Sequence, residues 1–357
     1  MADQFPESIC IVRLSALGDL FLALPAVQAL SDNLPHTRIT WLVERRFLPV
    51  VEHLSDRIEL YPVDGPNSLA ELRRIRRDFS RRRFSILLAM QAKLRSNLIY
   101  PLIQAERKIG FDVRRARDGQ GFFINERIPR ADQHLADGFL AFVRKLGVAP
   151  GETKPCAPPL TSEALAWRQA IIGDAPYLVL NTSSSKAERS WALALQREFL
   201  QRLPETGWRG RVILSGSHRE EADELAAIVP DSLNLAGATD LPQLLALLAG
   251  ARLLVSPDSG PVHIARAYDV PVVGLYAVAR SALCGPWQKT EYCVDVFDEA
   301  VRTLLHRDPA KVDWHTRVHD ARAMQLVTVD AVLAQTARVL ARQASPDHGA
   351  QGGAIPA

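Results

Sequence analysis

Cysteine is scarce in this chain and scattered: Cys10, Cys156, Cys284 and Cys293 stand far apart among 357 residues, with no CxxC pair. A zinc site needs closely grouped ligands and a disulfide scaffold needs a small, cysteine-dense chain. Both classes are disfavoured, and free thiols in a reducing cytoplasm are expected. Long apolar runs are missing as well. No stretch approaches the roughly 20 apolar residues of a membrane span. Asp3 and Glu7 stand where a secretory signal carries its basic residues, and Arg13 breaks the run Ile9–Leu14. A cytoplasmic protein is expected, with peripheral contact at the inner face of a membrane left open. One-signed charge is also lacking: a net charge of +3 is too small for bulk nucleic-acid binding.

What is present fits a soluble globular protein, with 47% hydrophobic and 23% charged residues and enough length for two ordinary domains. Short apolar runs alternate with amphipathic segments. Ile9–Leu14 reads as a buried strand, Asp19–Leu30 as a helix, and Arg38–Val43 and Ser85–Ala89 as further strands. The pattern restarts with Tyr177–Asn181, Arg211–Ser215, Leu253–Ser256 and Val272–Tyr276. The alternation predicts an α/β protein of two doubly wound, Rossmann-like domains, residues 1–155 and 156–327, facing each other across a cleft. The proline-rich stretch Pro150–Pro159 is the linker, a helix closes the chain over 328–343, and a disordered tail is expected over 344–357. In such sheets ligands settle beyond the carboxyl ends of the strands, so the turns after strands are where chemistry is sought.

Three turns stand out. Arg13-Leu14-Ser15-Ala16-Leu17-Gly18-Asp19 follows the first strand, and Asp19 falls at the start of a helix. The helix N-terminus favours a carboxylate there, which serves equally as a helix cap or as an acceptor of a hydroxyl proton. Asn181 to Trp191 follows a later strand, with Ser184 and Ser185 as short donors and Arg189 as a guanidinium, a composition suited to phosphate oxygens or to a plain polar loop. Asp258-Ser259-Gly260-Pro261-Val262-His263 leads into a helix with proline at its start. Gly260 lets the backbone approach a pyrophosphate closely, and His263 is either a second contact or a structural histidine. A basic run, including Arg73, Arg76 and Arg77, lies on a segment with an apolar stripe at helical spacing. It reads as a solvated face or as a partner for an acidic glycolipid. Gln91, Lys93 and Arg95 follow another strand end and are candidates for the same acceptor.

These turns, in this order, resemble the lipopolysaccharide heptosyltransferases of glycosyltransferase family 9, most nearly the heptosyltransferase I and II types, over most of residues 8–340. The Ser-x-x-Gly-Asp turn at 15–19, the serine-rich loop ending in Trp191, and Asp258 to His263 carry the resemblance. It implies the two-domain GT-B architecture and an inverting transfer of heptose from ADP-L-glycero-β-D-manno-heptose to the Kdo/heptose inner core on lipid A. By resemblance Asp19 is the catalytic base. Ser184, Ser185 and Arg189 hold the donor pyrophosphate, while Asp258, Ser259, Gly260 and His263 form the donor loop. Either Glu220 or Glu221 binds the adenosine ribose, with Glu220 preferred. No metal or other cofactor is implied. The chain departs from the family at Ala277-Val278-Ala279, where a Gly-Pro-Thr-like turn is common. It also carries serines where some relatives have threonines, and Arg189 where some have lysine.

Other readings remain. A Rossmann oxidoreductase lacks support because the first turn has only Gly18 and no G-x-G-x-x-G. A family transferase using another nucleotide sugar or core acceptor, and a nucleotide-sugar-binding protein without catalysis, both fit the donor turns.

Overall fold

Ser8–Val12 is buried at every position, so its side chains cannot alternate between core and solvent; a strand covered on both faces is the way such a run folds. In the computed structural model, which describes residues 5–65 and 68–344, this segment is β1 of a six-stranded sheet. Its companions are β2 (Arg38–Glu44), β3 (Ile58–Val63), β4 (Arg83–Leu88), β5 (Gln104–Gly110) and β6 (Glu126–Arg127). The strand order is β3-β2-β1-β4-β5-β6 and every pairing is parallel. Ile9 is in register with Ile39 on one side and Ile86 on the other, which places β1 at the centre. The helix Leu17–Asn33 joins β1 to β2, and the helix Leu135–Lys145 packs beside it.

A second sheet holds β7 (Tyr177–Asn181), β8 (Arg211–Ser215), β9 (Leu233–Asn234), β10 (Leu253–Pro257), β11 (Val272–Tyr276) and β12 (Val294–Asp295). It is again wholly parallel, in the order β12-β11-β10-β7-β8-β9. Counted within its own half, this is the winding of the first sheet: third, second, first, fourth, fifth, sixth. The direction of winding reverses between the first and fourth strands, and a ligand crevice forms beyond their carboxyl ends. In the first unit that position lies after β1 and β4; in the second, after β7 and β10.

The chain divides into two units, one ending at Pro159 and the other starting at Leu160. Each is the doubly wound α/β form that the alternation predicts. Three predicted strands match to the residue and the other three strands after β1 shift by one or two residues, while β1 begins and ends earlier. Five strands were not foreseen. β5 reads as polar because Gln104, Glu106, Arg107 and Lys108 are partly exposed toward the sheet edge. The short β6, β9 and β12 are too brief to show a period, and β3 carries Pro62. The helix Val329–Ala344 closes the described chain against the second unit's core; the expected disordered tail lies outside the described residues.

Trp191 anchors that core. Its side chain is buried against Phe199, with ring centroids 6.0 Å apart, and its indole N–H donates to the Val327 carbonyl at 3.0 Å. Burying an indole with its N–H paired supplies hydrophobic stabilisation without stranding a donor. No helix among the described residues is long and apolar enough to cross a membrane.

Candidate active site

The turn after β1 is clamped from beneath by the turn after β4. Gln91 is buried; its Oε1 accepts from the Leu14 N–H at 2.8 Å and its Nε2 donates to Ser15 Oγ at 3.4 Å. Its own carbonyl accepts from Ser96 Oγ at 3.0 Å, from Gln120 Nε2 at 3.1 Å and from the Tyr100 hydroxyl. With both ends of its side chain spent inside the protein, Gln91 positions the turn rather than facing an acceptor. Arg95 donates to Ser15 Oγ and reaches Glu44 at 3.3 Å.

Arg13 is buried at the end of β1, and a buried guanidinium must be paired to be tolerated. Its Nη1 donates to the Met90 carbonyl at 2.8 Å, Phe139 lies under it at 5.2 Å, and Nη2 is ion-paired with Asp19 Oδ2. The helix is capped by Ala16, and Asp19 lies in its first turn without accepting a backbone N–H, so the helix-cap reading of Asp19 does not hold. Its side chain is 36% exposed. Arg13 therefore holds one carboxylate oxygen, while Oδ1 makes no hydrogen bond within the described residues and sits at the crevice position of the sheet.

The turns after β7 and β10 are tied together in the second unit. Asn181, at the end of β7, donates to Ser256 Oγ and Ser259 Oγ, each at 3.1 Å, and to the Ser183 carbonyl at 2.8 Å. Its Oδ1 accepts from Ser215 Oγ at 3.3 Å, so one amide joins the ends of β7, β8 and β10. Ser184 Oγ donates to the Asp258 carbonyl at 2.7 Å. Arg189 spans Asp258 Oδ2 and Ser185 Oγ, both at 2.9 Å. Gly216 has φ +130°, and a Cβ there would lie 2.7 Å from Thr182 Oγ1 and 2.8 Å from Ser183 Oγ, so only glycine fits. The helix Gly260–Ala267 starts at this cluster, with Pro261 in its first turn and His263 buried one turn in. Its uncapped N–H groups and the Arg189 guanidinium make the loop electropositive, which suits a phosphate anion.

Behind Asp258, the Tyr276 hydroxyl is buried with no hydrogen-bond partner among the described residues. Burial first, then the Cys293 thiol and the Asp258 carboxylate, push its ionisation well above the ordinary phenol value, so it stays a neutral donor. Gly274 makes room for the ring: a Cβ there would approach Tyr276 Cε2 to 2.6 Å. No group of three or more His, Cys, Asp or Glu side chains comes together as a metal cradle among the described residues.

Residues 72–311 match glycosyltransferase family 9 (heptosyltransferase). The chain belongs to this family. It is a glycosyltransferase of GT-B type, as the turns predict. Lipopolysaccharide core heptosyltransferase OpsX of Haemophilus influenzae is 30% identical over 93% of this chain and 96% of its own. The glycosyl transferase family 9 protein of Veillonella parvula shares the fold with TM-score 0.78 at 19% identity, covering 94% of this chain and 98% of that one. E. coli heptosyltransferase WaaC with ADP does so with TM-score 0.68 at 21% identity, covering 93% and 99%.

Within this family 9 chain the predicted residues divide clearly. Ser184, Ser185 and Arg189 after β7 and Asp258, Ser259, Gly260 and His263 after β10 are brought together at two adjacent strand ends. Glu220 is exposed in the first turn of the helix Arg219–Ala226 after β8, and Glu221 faces His218 at 3.4 Å. Arg95 reaches the Asp19 turn through Ser15, and Lys93 stands exposed two residues before Arg95. Arg73, Arg76 and Arg77 are not brought there. The helix Leu69–Phe79 is tied by Glu71 to Asp64 at the end of β3, and it then runs back toward the start of β4. At about 1.5 Å rise per residue, this carries Arg76 and Arg77 toward the opposite rim of the sheet.

One residue escaped the sequence reading altogether. Arg317 reaches Asp258 Oδ2 at 3.7 Å, the second guanidinium on that carboxylate. It is delivered by the buried Ala277-Val278-Ala279 turn that departs from the family pattern, since the Val278 carbonyl accepts from the Val318 N–H at 2.9 Å. His319, two residues on, pairs with Glu188 at 3.0 Å. No motif surrounds Arg317, so only the tertiary fold reveals it.

Proposed function

We propose that the chain is an inverting heptosyltransferase that moves heptose from ADP-L-glycero-β-D-manno-heptose to the Kdo/heptose inner core of lipopolysaccharide. The observation that carries this reading is the Ser184–Arg189–Asp258 cluster at the β7/β10 crevice, where a guanidinium is held in place before any ligand arrives. Family membership, the OpsX likeness and the likeness to WaaC with ADP support the same donor class.

In this reading the acceptor hydroxyl oxygen attacks the anomeric carbon while Asp19 Oδ1 takes its proton. The bond from that carbon to the diphosphate oxygen breaks, and ADP leaves with the electron pair. Arg189, the serine hydroxyls and the N–H groups at 260–263 meet the charge that grows on the diphosphate, and Asp258 is set among the sugar hydroxyls. Preorganised donors of this kind are worth about 3–4 kcal/mol each when aimed at developing charge. Cationic side chains thus supply the neutralisation without a metal. Lys93 and Arg95 contact the acidic acceptor, and Glu220 the ribose.

The test offers purified protein a panel of nucleotide sugars with truncated core acceptors and identifies products by mass spectrometry. ADP-heptose with a Kdo-bearing acceptor is expected to give a heptosylated product and free ADP. Transfer of another sugar in preference would replace the donor assignment. ADP-heptose binding without any transfer would leave a binding protein.

A further inference from the structure

Large apolar side chains are seldom left in water, and among the described residues seven are exposed. Four of them fall on two segments that are hydrogen-bonded to each other, 94–98 and 111–122: Phe122 at 90%, Val113 at 77%, Leu94 at 60% and Leu98 at 41%. The backbone that carries them is pinned. Leu94 N–H donates to Asp118 Oδ2 at 3.0 Å, and Asn97 Nδ2 donates to the carbonyls of Arg117 at 3.0 Å and Asp118 at 2.8 Å. Gln120, fully buried, donates to the Ala89 carbonyl at 2.9 Å and accepts from the Phe111 N–H at 3.1 Å. Asp112 accepts from the Arg114 N–H at 2.9 Å. Phe122 and Val113 are therefore held out in water by a rigid loop.

The charge around them is predominantly positive. In segments 92–98 and 111–130 the exposed cations are Lys93, Arg114, Arg117, Arg127 and Arg130, and the exposed carboxylate is Asp118 alone. Asp112 is spent on Arg115, and Glu126 on Arg107 and Lys145. Two shallow hollows open between them. One of about 430 Å³ is lined by Lys93, Leu94, Arg95, Arg117 and Asp118, and one of about 380 Å³ by Asp112, Val113, Arg114, Arg127 and Arg130. Apolar tips standing among guanidiniums match the interface of an anionic bilayer, where acyl chains lie just beneath phosphates.

We propose that this loop docks the enzyme on an anionic phospholipid surface, with Phe122 and Val113 entering the interface and the guanidiniums meeting lipid phosphates. The proposal rests on the glycolipid-acceptor reading and extends it. Arg95, beside one hollow, donates to Ser15, and Gln120 holds Gln91, which holds Leu14; the loop is thus built onto the turn that presents Asp19. A bilayer held there delivers its glycolipid head groups next to the base.

The experiment is co-sedimentation of the full chain with vesicles lacking any acceptor, either pure phosphatidylcholine or the same lipid with a third phosphatidylglycerol. Binding to the anionic vesicles is expected to be at least tenfold tighter and to weaken as salt rises. The double variant Phe122→Ser, Val113→Ser should lose at least tenfold in vesicle affinity. Both side chains are exposed, so the melting temperature should not fall. The same variant, assayed on a water-soluble deacylated acceptor, should keep wild-type kcat. Equal binding to both vesicle types, or undiminished binding of the double variant, overturns the docking surface. So does a dimer of the free chain that the double variant dissolves while vesicle binding is absent. Failure of wild-type protein to transfer to the soluble acceptor instead counts against the transfer reading, and vesicle binding is measured independently of it.

Discussion

Replacing Asp19 with asparagine separates catalysis from structure, because the partner of Asp19 is a buried arginine. Removing one member of a fully buried ion pair costs about 3–5 kcal/mol. Here the carboxylate is 36% exposed, so solvent screens much of the pair. Asparagine also keeps a carbonyl oxygen where Arg13 Nη2 expects an acceptor, and the Arg13 hydrogen bond to Met90 at 2.8 Å and its contact with Phe139 are untouched. The loss should therefore be about 1 kcal/mol, a fall of about 2–4 °C in Tm for a unit of this size. The chemical loss is larger, since a positioned general base contributes about 10²–10⁴-fold in rate. Asp19→Asn should thus reduce kcat by at least a hundredfold in a coupled ADP-release assay with acceptor present. KM for the nucleotide sugar should hold within about threefold, with a melting curve close to wild type. A kcat within a few-fold of wild type would falsify the assignment of the base. A large rise in donor KM at constant kcat would instead place Asp19 in binding.

Arg189→Ala should lower kcat/KM for the donor by about 10²–10³-fold, as loss of one preorganised donor to a developing anion does; unchanged kinetics would mean that the diphosphate lies elsewhere. Arg317→Ala, which removes the longer of the two contacts to Asp258, should cost about tenfold and mainly in donor KM, and a loss equal to that of Arg189→Ala would show that the 3.7 Å spacing closes on binding. Gly216→Ala should lower Tm by several degrees and impair donor binding together, because its φ of +130° and the nearby Thr182 hydroxyl both resist a methyl group; a stable, fully active variant would refute the close approach. Burial, then the Asp32 carboxylate, push the Cys156 thiol up to about 11, and burial raises Cys10, Cys284 and Cys293 further. At pH 7.5 the thiolate is then a small fraction at every site, so the native protein should react slowly with a disulfide reagent and release four equivalents only when unfolded. A rapidly titrating thiol would contradict this burial.

The strands that the sequence discloses are those packed on both faces. Tyr177–Asn181, Arg211–Ser215 and Val272–Tyr276 are almost wholly buried, so each must be a continuous apolar run bounded by polar turns. Strands near a sheet edge are different: β5 is flanked outward only by the two-residue β6, so its lysine and glutamate stay partly exposed and nothing in its composition announces it. The loops after β7 and β10 could be singled out as a candidate anion site because hydroxyls, a guanidinium and a glycine fall within a few residues of each other there. Gln91 was misjudged because a polar residue after a strand looks like a ligand group until its hydrogen bonds to Leu14 and Ser15 are seen. Arg76 and Arg77 were misjudged because composition shows that a helix is basic but not which rim of the sheet its last turn reaches. Arg317 needed the Val278–Val318 hydrogen bond, which joins segments forty residues apart.

The shared winding of the two sheets has a consequence for charge. Beyond the first strand of one half an arginine rooted in the core carries an aspartate outward; beyond the first strand of the other stands an arginine, steadied by an aspartate that follows the neighbouring fourth strand. One scaffold thus yields opposite polarity from the choice of a few loop residues, while the strands beneath keep a common order. Loops grafted from one half to the other would meet the same strand spacing and the same crossover, which makes this chain a natural host for exchanging an acid and an anion clamp without redesigning either sheet.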